Sequence, residues 1–191
     1  MTVMQQHVAF FDRNNDGIIF PNDTFVGFRR LGYNLLISTL AVPIIHGTFA
    51  WWSQDYWLPN PLFPIYMKNI HRCKHGSDSE SYDTEGRYVP QKFEEVWSKY
   101  DKDNKGALTK GELWEMIRGN RNIMDPTGWV AAFLEWYVSY LLVAGEDKML
   151  KKDDARGILD GTIFYKIAKE REGRKVLPQE QAGGRFGSKE E

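Results

Sequence analysis

An excess of basic charge is missing from this chain. Its 191 residues carry 25 Lys and Arg against 26 Asp and Glu, a net charge of −1. No basic field is available to hold phosphates, which argues against a nucleic-acid partner. Cysteine is nearly absent. Cys73 stands alone, so no intrachain disulfide can form and a reducing compartment is expected. The N-terminus lacks a basic stretch followed by an apolar run, so no secretory signal is expected. A Ser-His-Asp order, a Walker loop and a dinucleotide-binding glycine pattern are missing too. Charge itself disappears over one stretch, with no Asp, Glu, Lys or Arg from Leu31 to Gln54.

What is present begins with a loop. Asp12, Asn14 and Asp16 supply oxygens at alternate positions, and Gly17 permits a sharp turn. Ile18 offers a backbone carbonyl, and Asp23 stands at the twelfth position, where a closing carboxylate belongs. This is the pattern of an EF-hand calcium loop. Asp23 is one methylene shorter than the usual Glu, so weaker calcium binding or more tolerance of magnesium is expected. A second loop repeats the frame with Asp101, Asp103 and Glu112. Lys105 puts an ammonium where a ligand oxygen belongs, so this loop is expected to be weak or empty. EF-hands normally pair, and a defective partner still serves structure.

Around the loops the spacing is helical. Val3, His7 and Phe11 share one face of an entering helix, and Phe25, Phe28 and Leu31 mark an exiting one. Phe93, Val96, Trp97 and Tyr100 lead into the second loop, and Leu113, Met116 and Ile117 leave it. The uncharged stretch, most apolar from Leu35 to Ile45, reads either as a buried helix or as a lipid-facing one. Pro43, His46 and Gly47 interrupt it, so a clean membrane span is not expected. Trp51, Trp52, Tyr56 and Trp57 follow, residues that favour a polar–apolar boundary. Pro59, Pro61 and Pro64 then force a turn. Together these suggest a hairpin over residues 31–66 that dips into lipid without crossing it. Trp129 to Val143 is apolar nearly all round, with Glu135 its only charge, and is expected to be buried or in lipid. Ala144 to Asp154 resembles a degraded third helix-loop-helix.

The expected fold is therefore all-α: an EF-hand-like helix-loop-helix pair, an inserted apolar hairpin with a proline turn, and C-terminal helices. The expected divisions are 1–35 for the first EF-hand, 36–68 for the hairpin, 69–170 for a helical region with the degenerate second loop, and 171–191 for a disordered, charged tail.

Four histidines complete the chemistry: His7, His46, His71 and His75. His71-x-Cys73-x-His75 gives poor chelate geometry and has no second ligand pair, which argues against zinc. Imidazole is also an iron ligand in haem proteins, and two histidines closing on an aromatic-rich site would suit haem.

The chain resembles the caleosins, a family of calcium-binding lipid-droplet proteins that includes peroxygenases. The resemblance rests on His7-Val8-Ala9-Phe10-Phe11-Asp12 with its loop, on Pro59-Asn60-Pro61-Leu62-Phe63-Pro64, and on Asn69-Ile70-His71 leading to Lys74-His75-Gly76-Ser77-Asp78-Ser79. Further matches are Tyr82-Asp83-Thr84-Glu85-Gly86-Arg87, Gly111-Glu112-Leu113-Trp114-Glu115-Met116, Gly119-Asn120-Arg121 and Phe164-Tyr165-Lys166-Ile167-Ala168-Lys169-Glu170. It implies haem b and Ca2+ as cofactors, with His7 and His75 as the histidines tied to haem and to catalysis. It implies fatty acid or lipid hydroperoxides as substrates, with hydroxylation or epoxidation of unsaturated fatty acids. It also implies a lipid droplet or endoplasmic reticulum surface facing the cytosol, and leaves a homo-oligomer open. The given sequence does not contain the arm that precedes the first loop in many members, so the resemblance is to a short form or to a truncated one. The other function class compatible with the loop and hairpin is a non-enzymatic, calcium-responsive scaffold or signalling protein of lipid droplets.

Overall fold

The computed structural model describes residues 1–183, with side chains up to Arg174. Helix α1 (Val3–Ala9) opens on Thr2, whose side chain and Gln5 form a reciprocal capping box. Strand β1 (Ile18–Ile19) lies inside the first loop, and α2 (Pro21–Leu31) leaves it, starting at a proline and ending on Gly32 in the left-handed conformation. Helix α3 (Leu35–Ser53), β2 (Ile65–Tyr66) and a 3₁₀ helix (Met67–Cys73) complete a first unit. A second unit follows: α4 (Pro90–Tyr100), β3 (Ala107–Thr109), α5 (Lys110–Gly119), α6 (Pro126–Val143), β4 (Met149–Lys151) and α7 (Lys152–Asp160). Helix α8 (Thr162–Gly183) closes the described chain. It is helical past residue 171, where a disordered tail was expected, and the rest of that tail lies outside the described residues. The chain is mostly helix with short strands, as the all-α expectation required.

The loops do not pair with each other. In the first unit β1 pairs antiparallel with β2, Ile18 opposite Tyr66 and Ile19 opposite Ile65. In the second, β3 pairs with β4, Leu108 opposite Leu150. Each calcium-loop pattern is thus partnered by a helix-loop-helix that has lost its own. The proline-rich turn is the degenerate partner of the first loop, and the segment from Ala144 is that of the second. The reason is local: the next helix pair along the chain is already in reach, and its apolar strand buries the same residues. Leu108 and Leu150 are fully buried, and Ile19 and Ile65 nearly so. One apolar core runs through both units, from Phe10, Phe28 and Leu31 to Trp97, Met116, Ile158 and Phe164.

Helix α3 is inside out. Its buried residues are Ser38, His46, Ala50 and Ser53, while Leu35, Leu36, Leu40, Ile44, Trp51 and Trp52 are exposed. Only 17% of its most apolar window is buried, so it is not a core helix. It also runs unbroken through Pro43 and Gly47. His46, which reads in sequence as an interruption, is an internal pin. Thr24 Oγ1 donates to its Nε2 at 2.7 Å, and its Nδ1 donates to the Phe63 carbonyl at 2.7 Å. One imidazole thereby ties α2, α3 and the proline turn, where Phe63 has a left-handed φ of 50°. The return limb of the expected hairpin is not a second apolar arm. It is β2 and the 3₁₀ helix, packed back on α3 through Asn69, which donates to the Ser53 carbonyl at 2.7 Å.

His46→Ala leaves the buried Thr24 hydroxyl without its partner, releases the Phe63 carbonyl and opens a cavity. It is expected to cost about 2–4 kcal/mol in urea unfolding. A change below about 0.5 kcal/mol, the level of an ordinary surface substitution, would show that the pin is dispensable.

Candidate functional site

The two loops share one backbone frame. Asn15 and Gly17 have φ of 57° and 80°, and their counterparts Asn104 and Gly106 have 55° and 72°. In the first loop Asp12, itself buried, accepts the Asp16 amide at 3.2 Å and the Gly17 amide at 2.8 Å. In the second, Asp101 accepts from Lys105 at 3.1 Å and from Gly106 at 2.7 Å. The first carboxylate of each loop thus folds the turn that presents the others.

The loops differ at their centres. In the second, the Lys105 ammonium lies 2.6 Å from Asp103, 2.9 Å from Glu112 and 3.1 Å from Asp101. Those are the first, third and twelfth positions, so the ammonium occupies the place of a cation. Asp103 and Glu112, despite desolvation and with help from Asp101, hold the Lys105 pKa well above its ordinary value. In the first loop the corresponding residue is Asp16, which accepts from Ile18 N–H and from Asn14 Nδ2 at 2.8 Å each. The closing Asp23 accepts the Phe20 amide at 3.1 Å and lies 3.7 Å from the Arg13 guanidinium. Asp12, Asn14, Asp16, the Ile18 carbonyl and Asp23 form an all-oxygen donor set, which suits a hard cation in type. Among the described residues, no three His, Cys, Asp or Glu side chains stand together as a ready metal cluster.

The histidines stand in unlike surroundings. His7, on α1, donates from Nδ1 to the Ile158 carbonyl of α7 at 2.6 Å, and its ring meets Phe164 edge-on at 5.2 Å. Gly161 permits this approach. It has a φ of +77°, and a Cβ there would lie 2.9 Å from the His7 Cα. Burial lowers the His7 pKa, opposed by the Ile158 bond and by the Glu135 and Asp160 carboxylates, which favours the neutral ring, and among the described residues its Nε2 has no hydrogen-bond partner. A carbonyl on one ring nitrogen and a free lone pair on the other is the arrangement of a metal-ligating imidazole. Phe10, Phe11 and Phe164 build the aromatic surroundings. In type, His7 fits a haem ligand.

His75 is not presented in that way. The Ser77 amide donates to its Nδ1 at 3.2 Å, and its Nε2 faces Glu135 Oε2 at 3.3 Å. Buried Ser77 in turn donates to Asp125 Oδ2 at 3.0 Å. Asp125 caps α6 by accepting the Gly128 amide at 2.9 Å, so His75 is clamped against the start and the middle of one helix. Burial would lower the His75 pKa, but the hydrogen bond and charge of Glu135, with Asp78 and Asp125, raise it. A polar cavity of about 310 Å³ opens beside it, lined by Gly76, Asp78, Lys99, Tyr100 and Asn120. His46 is the pin described above. Cys73 donates to the Phe49 carbonyl at 3.7 Å, and burial pushes its thiol pKa up to about 12, so it is inert.

Glu135 is what sequence reasoning passed over. Its carboxylate contacts His75 and acts electrostatically on His7. The signal was available, because Glu135 is the lone charge in an otherwise uncharged helix. Ser77, Asp125 and the Ile158 carbonyl carried no such signal.

The model of a family described as caleosin related protein matches residues 1–168. A peroxygenase of Lilium longiflorum is 48% identical over 177 residues, covering 93% of this chain and 74% of that one. Probable peroxygenase 4 of Arabidopsis thaliana is 42% identical, over 88% of this chain and 86% of its own. A probable inactive peroxygenase-like protein of the same plant is 31% identical, over 76% and 69%. No solved structure matches.

Two substitutions test the loops. Lys105→Asp removes the internal cation and adds a carboxylate, and is expected to add one calcium site in titration calorimetry. An unchanged stoichiometry would mean that the ammonium is not what closes the second loop. Asp23→Glu restores reach at the closing position and is expected to tighten the first site about tenfold. Unchanged affinity would remove the defect assigned to Asp23.

Proposed function

As a member of the caleosin family the chain is an enzyme, a peroxygenase, and we propose that it works with haem and calcium on fatty acid hydroperoxides at a lipid surface. The observation that carries the haem reading is His7. Its Nδ1 is engaged by the Ile158 carbonyl at 2.6 Å and its Nε2 is left to ligate iron. Haem bound there supplies the redox chemistry that cleaves a hydroperoxide and passes one oxygen to an alkene. The protein's part is to hold and orient. The His7–Ile158 bond sets the ring direction, the Phe10, Phe11 and Phe164 cluster keeps water away, and His75 stands as the second histidine, its ring fixed by Ser77 and Glu135.

The lipid reading rests on α3. A helix that buries Ser and His while exposing Leu, Ile and Trp is stable where its outside is apolar. Trp51, Trp52, Trp57, Leu58 and Leu62, all exposed, extend that face into the proline turn. The face suits a lipid droplet or endoplasmic reticulum membrane, reached from the cytosol, and brings the enzyme to its substrates.

Calcium belongs to the first loop, held by Asp12, Asn14, Asp16, the Ile18 carbonyl and Asp23, while the second loop is served by Lys105. The loop is joined to both functions. His7 lies on its entering helix, and the Met67 amide donates to the Gly17 carbonyl at 3.0 Å where the chain returns from the lipid-facing turn.

The purified protein is expected to show a Soret band and hydroperoxide-dependent epoxidation, and His7→Ala to lose both. A wild-type protein that takes up no haem would instead favour a calcium-responsive lipid-droplet scaffold, a reading that the 31% identical relative named as a probable inactive peroxygenase-like protein keeps in view. Changing Trp51, Trp52 and Trp57 together to Ser is expected to weaken partition onto phosphatidylcholine-coated oil droplets by ~tenfold or more, since each buried aromatic contributes ~1.5–3 kcal/mol. Unchanged partition would move the lipid contact elsewhere.

A further inference from the structure

Helix α6 reads in sequence as buried or in lipid, and most of it is not buried. Of its 18 residues only Gly128, Ala132 and Tyr140 are. Val130, Phe133, Leu134, Tyr137 and Leu141 recur at helical spacing on the side away from Gly128 and Ala132. Val130 and Leu141 are exposed, and the other three are half-buried. Glu135, the one charge of the helix, stands off this stripe beside His75. The face continues onto α5 and the loop between the helices. Exposed Trp114 meets Phe133 edge-on at 5.9 Å, and Phe133 stacks on Tyr137 at 5.3 Å. In the loop, Ile123 and Met124 are 81% and 85% exposed. The turn that holds them out is braced. The Asn122 carbonyl accepts the Trp129 indole N–H at 2.6 Å, and the Asn122 side chain accepts the Met124 amide at 3.0 Å. The charges bordering this face have one sign. Lys110, Trp114 and Arg118 follow a turn apart on α5, and Arg121 opens the loop. The Lys110 ammonium lies over the Tyr137 ring at 5.5 Å and the Arg121 guanidinium over the Trp129 ring at 5.2 Å. The carboxylates of α5 are taken elsewhere, Glu112 by Lys105 and Glu115 by Lys102. Among the described residues, Lys110, Arg118 and Arg121 make no ion pair.

We propose that the outer stripe of α6, with Trp114 and the Ile123–Met124 turn, docks on a membrane that carries anionic phospholipids. Ile123 and Met124 enter the acyl boundary, and the aromatic rings sit at headgroup level. Lys110 and Arg121 lay their stems along those rings, and with Arg118 they carry their charge to the headgroups. This selectivity rests on the lipid reading given above for the class of partner, and adds to it what α3 lacks. From Leu35 to Ser53 that helix has no charged residue, so it does not discriminate between headgroups. The two faces are neighbours. The Tyr33 hydroxyl donates to the Val138 carbonyl at 2.8 Å, exposed Leu35 and Leu36 follow Tyr33, and exposed Leu141 lies a turn past Val138.

The test is co-sedimentation of the full chain with phosphatidylcholine vesicles and with mixed phosphatidylcholine–phosphatidylserine vesicles. At low salt the mixed vesicles are expected to bind ~tenfold or more tighter, and high salt to remove the difference. Lys110→Gln, Arg118→Gln and Arg121→Gln together are expected to abolish the preference and to leave phosphatidylcholine binding as it was. Ile123→Ser with Met124→Ser is expected to weaken binding to mixed vesicles by ~tenfold. All five positions are exposed, so the variants are expected to melt like the wild type in circular dichroism. Arg87→Gln, Lys92→Gln and Lys152→Gln remove the same charge from ion-paired positions and are expected to keep the preference. Equal binding of the wild type to both vesicles would overturn the proposal. So would a preference that survives the Lys110, Arg118 and Arg121 changes, or one lost equally in the ion-paired control. A lipid-free dimer that the Ile123 and Met124 changes dissociate, seen by light scattering, would give the face to a second copy instead. Binding to mixed vesicles alone would defeat the α3 reading and uphold this one. Binding to phosphatidylcholine without preference would do the reverse.

Discussion

A two-residue strand inside a loop of EF-hand pattern cannot stand alone. Its amides and carbonyls need partners when buried, and its apolar side chains need a surface. The rest of the structure follows from how that demand is met. Ile18 and Ile19 pair with Tyr66 and Ile65, and Leu108 with Leu150, so each loop draws in the next helix pair along the chain. The first pairing brings the end of the proline turn against the cation loop. The second fixes β4 and so α7, which starts directly after it, where Ile158 and Gly161 receive α1 and its His7. The first loop, the proline turn and His7 are thus parts of one bonded arrangement rather than neighbours by sequence.

The same arrangement explains the inverted helix. Because β2 and the 3₁₀ helix fold back on α3, the face of α3 that meets protein is the one that must satisfy polar groups. Ser53 Oγ accepts the Tyr66 amide at 3.0 Å, and His46 serves Thr24 and Phe63. The apolar side chains are left on the other face. What would be a folding error in a protein surrounded by water on all sides is consistent in one that meets lipid there. Within the second unit the cation comes from inside: Lys105 bridges Asp101, Asp103 and Glu112, which would otherwise repel one another more strongly. That leaves the first loop as the one whose centre holds no internal ammonium.

Much of this was legible in the sequence. Alternate oxygens with a glycine define both loops, because cation geometry demands them at fixed positions. The ammonium in the second loop was legible as a defect, though not as a substitute for the ion, since where a lysine tip lands depends on the three carboxylates around it. The partners of the loops were harder to see. The proline turn and the segment from Ala144 have no ligand pattern, and strand pairs of two or three residues leave no periodicity to detect. His46 and Gly47 read as breaks in an apolar run because propensity says so, whereas tertiary contacts made His46 a buried pin. The candidate histidine site was legible only as residue types. Its orientation was not, for it depends on a carbonyl at Ile158, an amide at Ser77 and a carboxylate at Glu135, distant in sequence and silent about direction.

The central claim is that the first loop, the return from the proline turn and the His7 helix behave as one unit under calcium. Amide hydrogen exchange of the full chain, with calcium and with chelator, measures this directly. The account predicts that calcium slows exchange together in the loop and α2, in Ile65–Cys73 and in α1, while Asp101–Gly119 is unchanged. Slowing confined to the loop itself, or shared equally by the second loop, would contradict it.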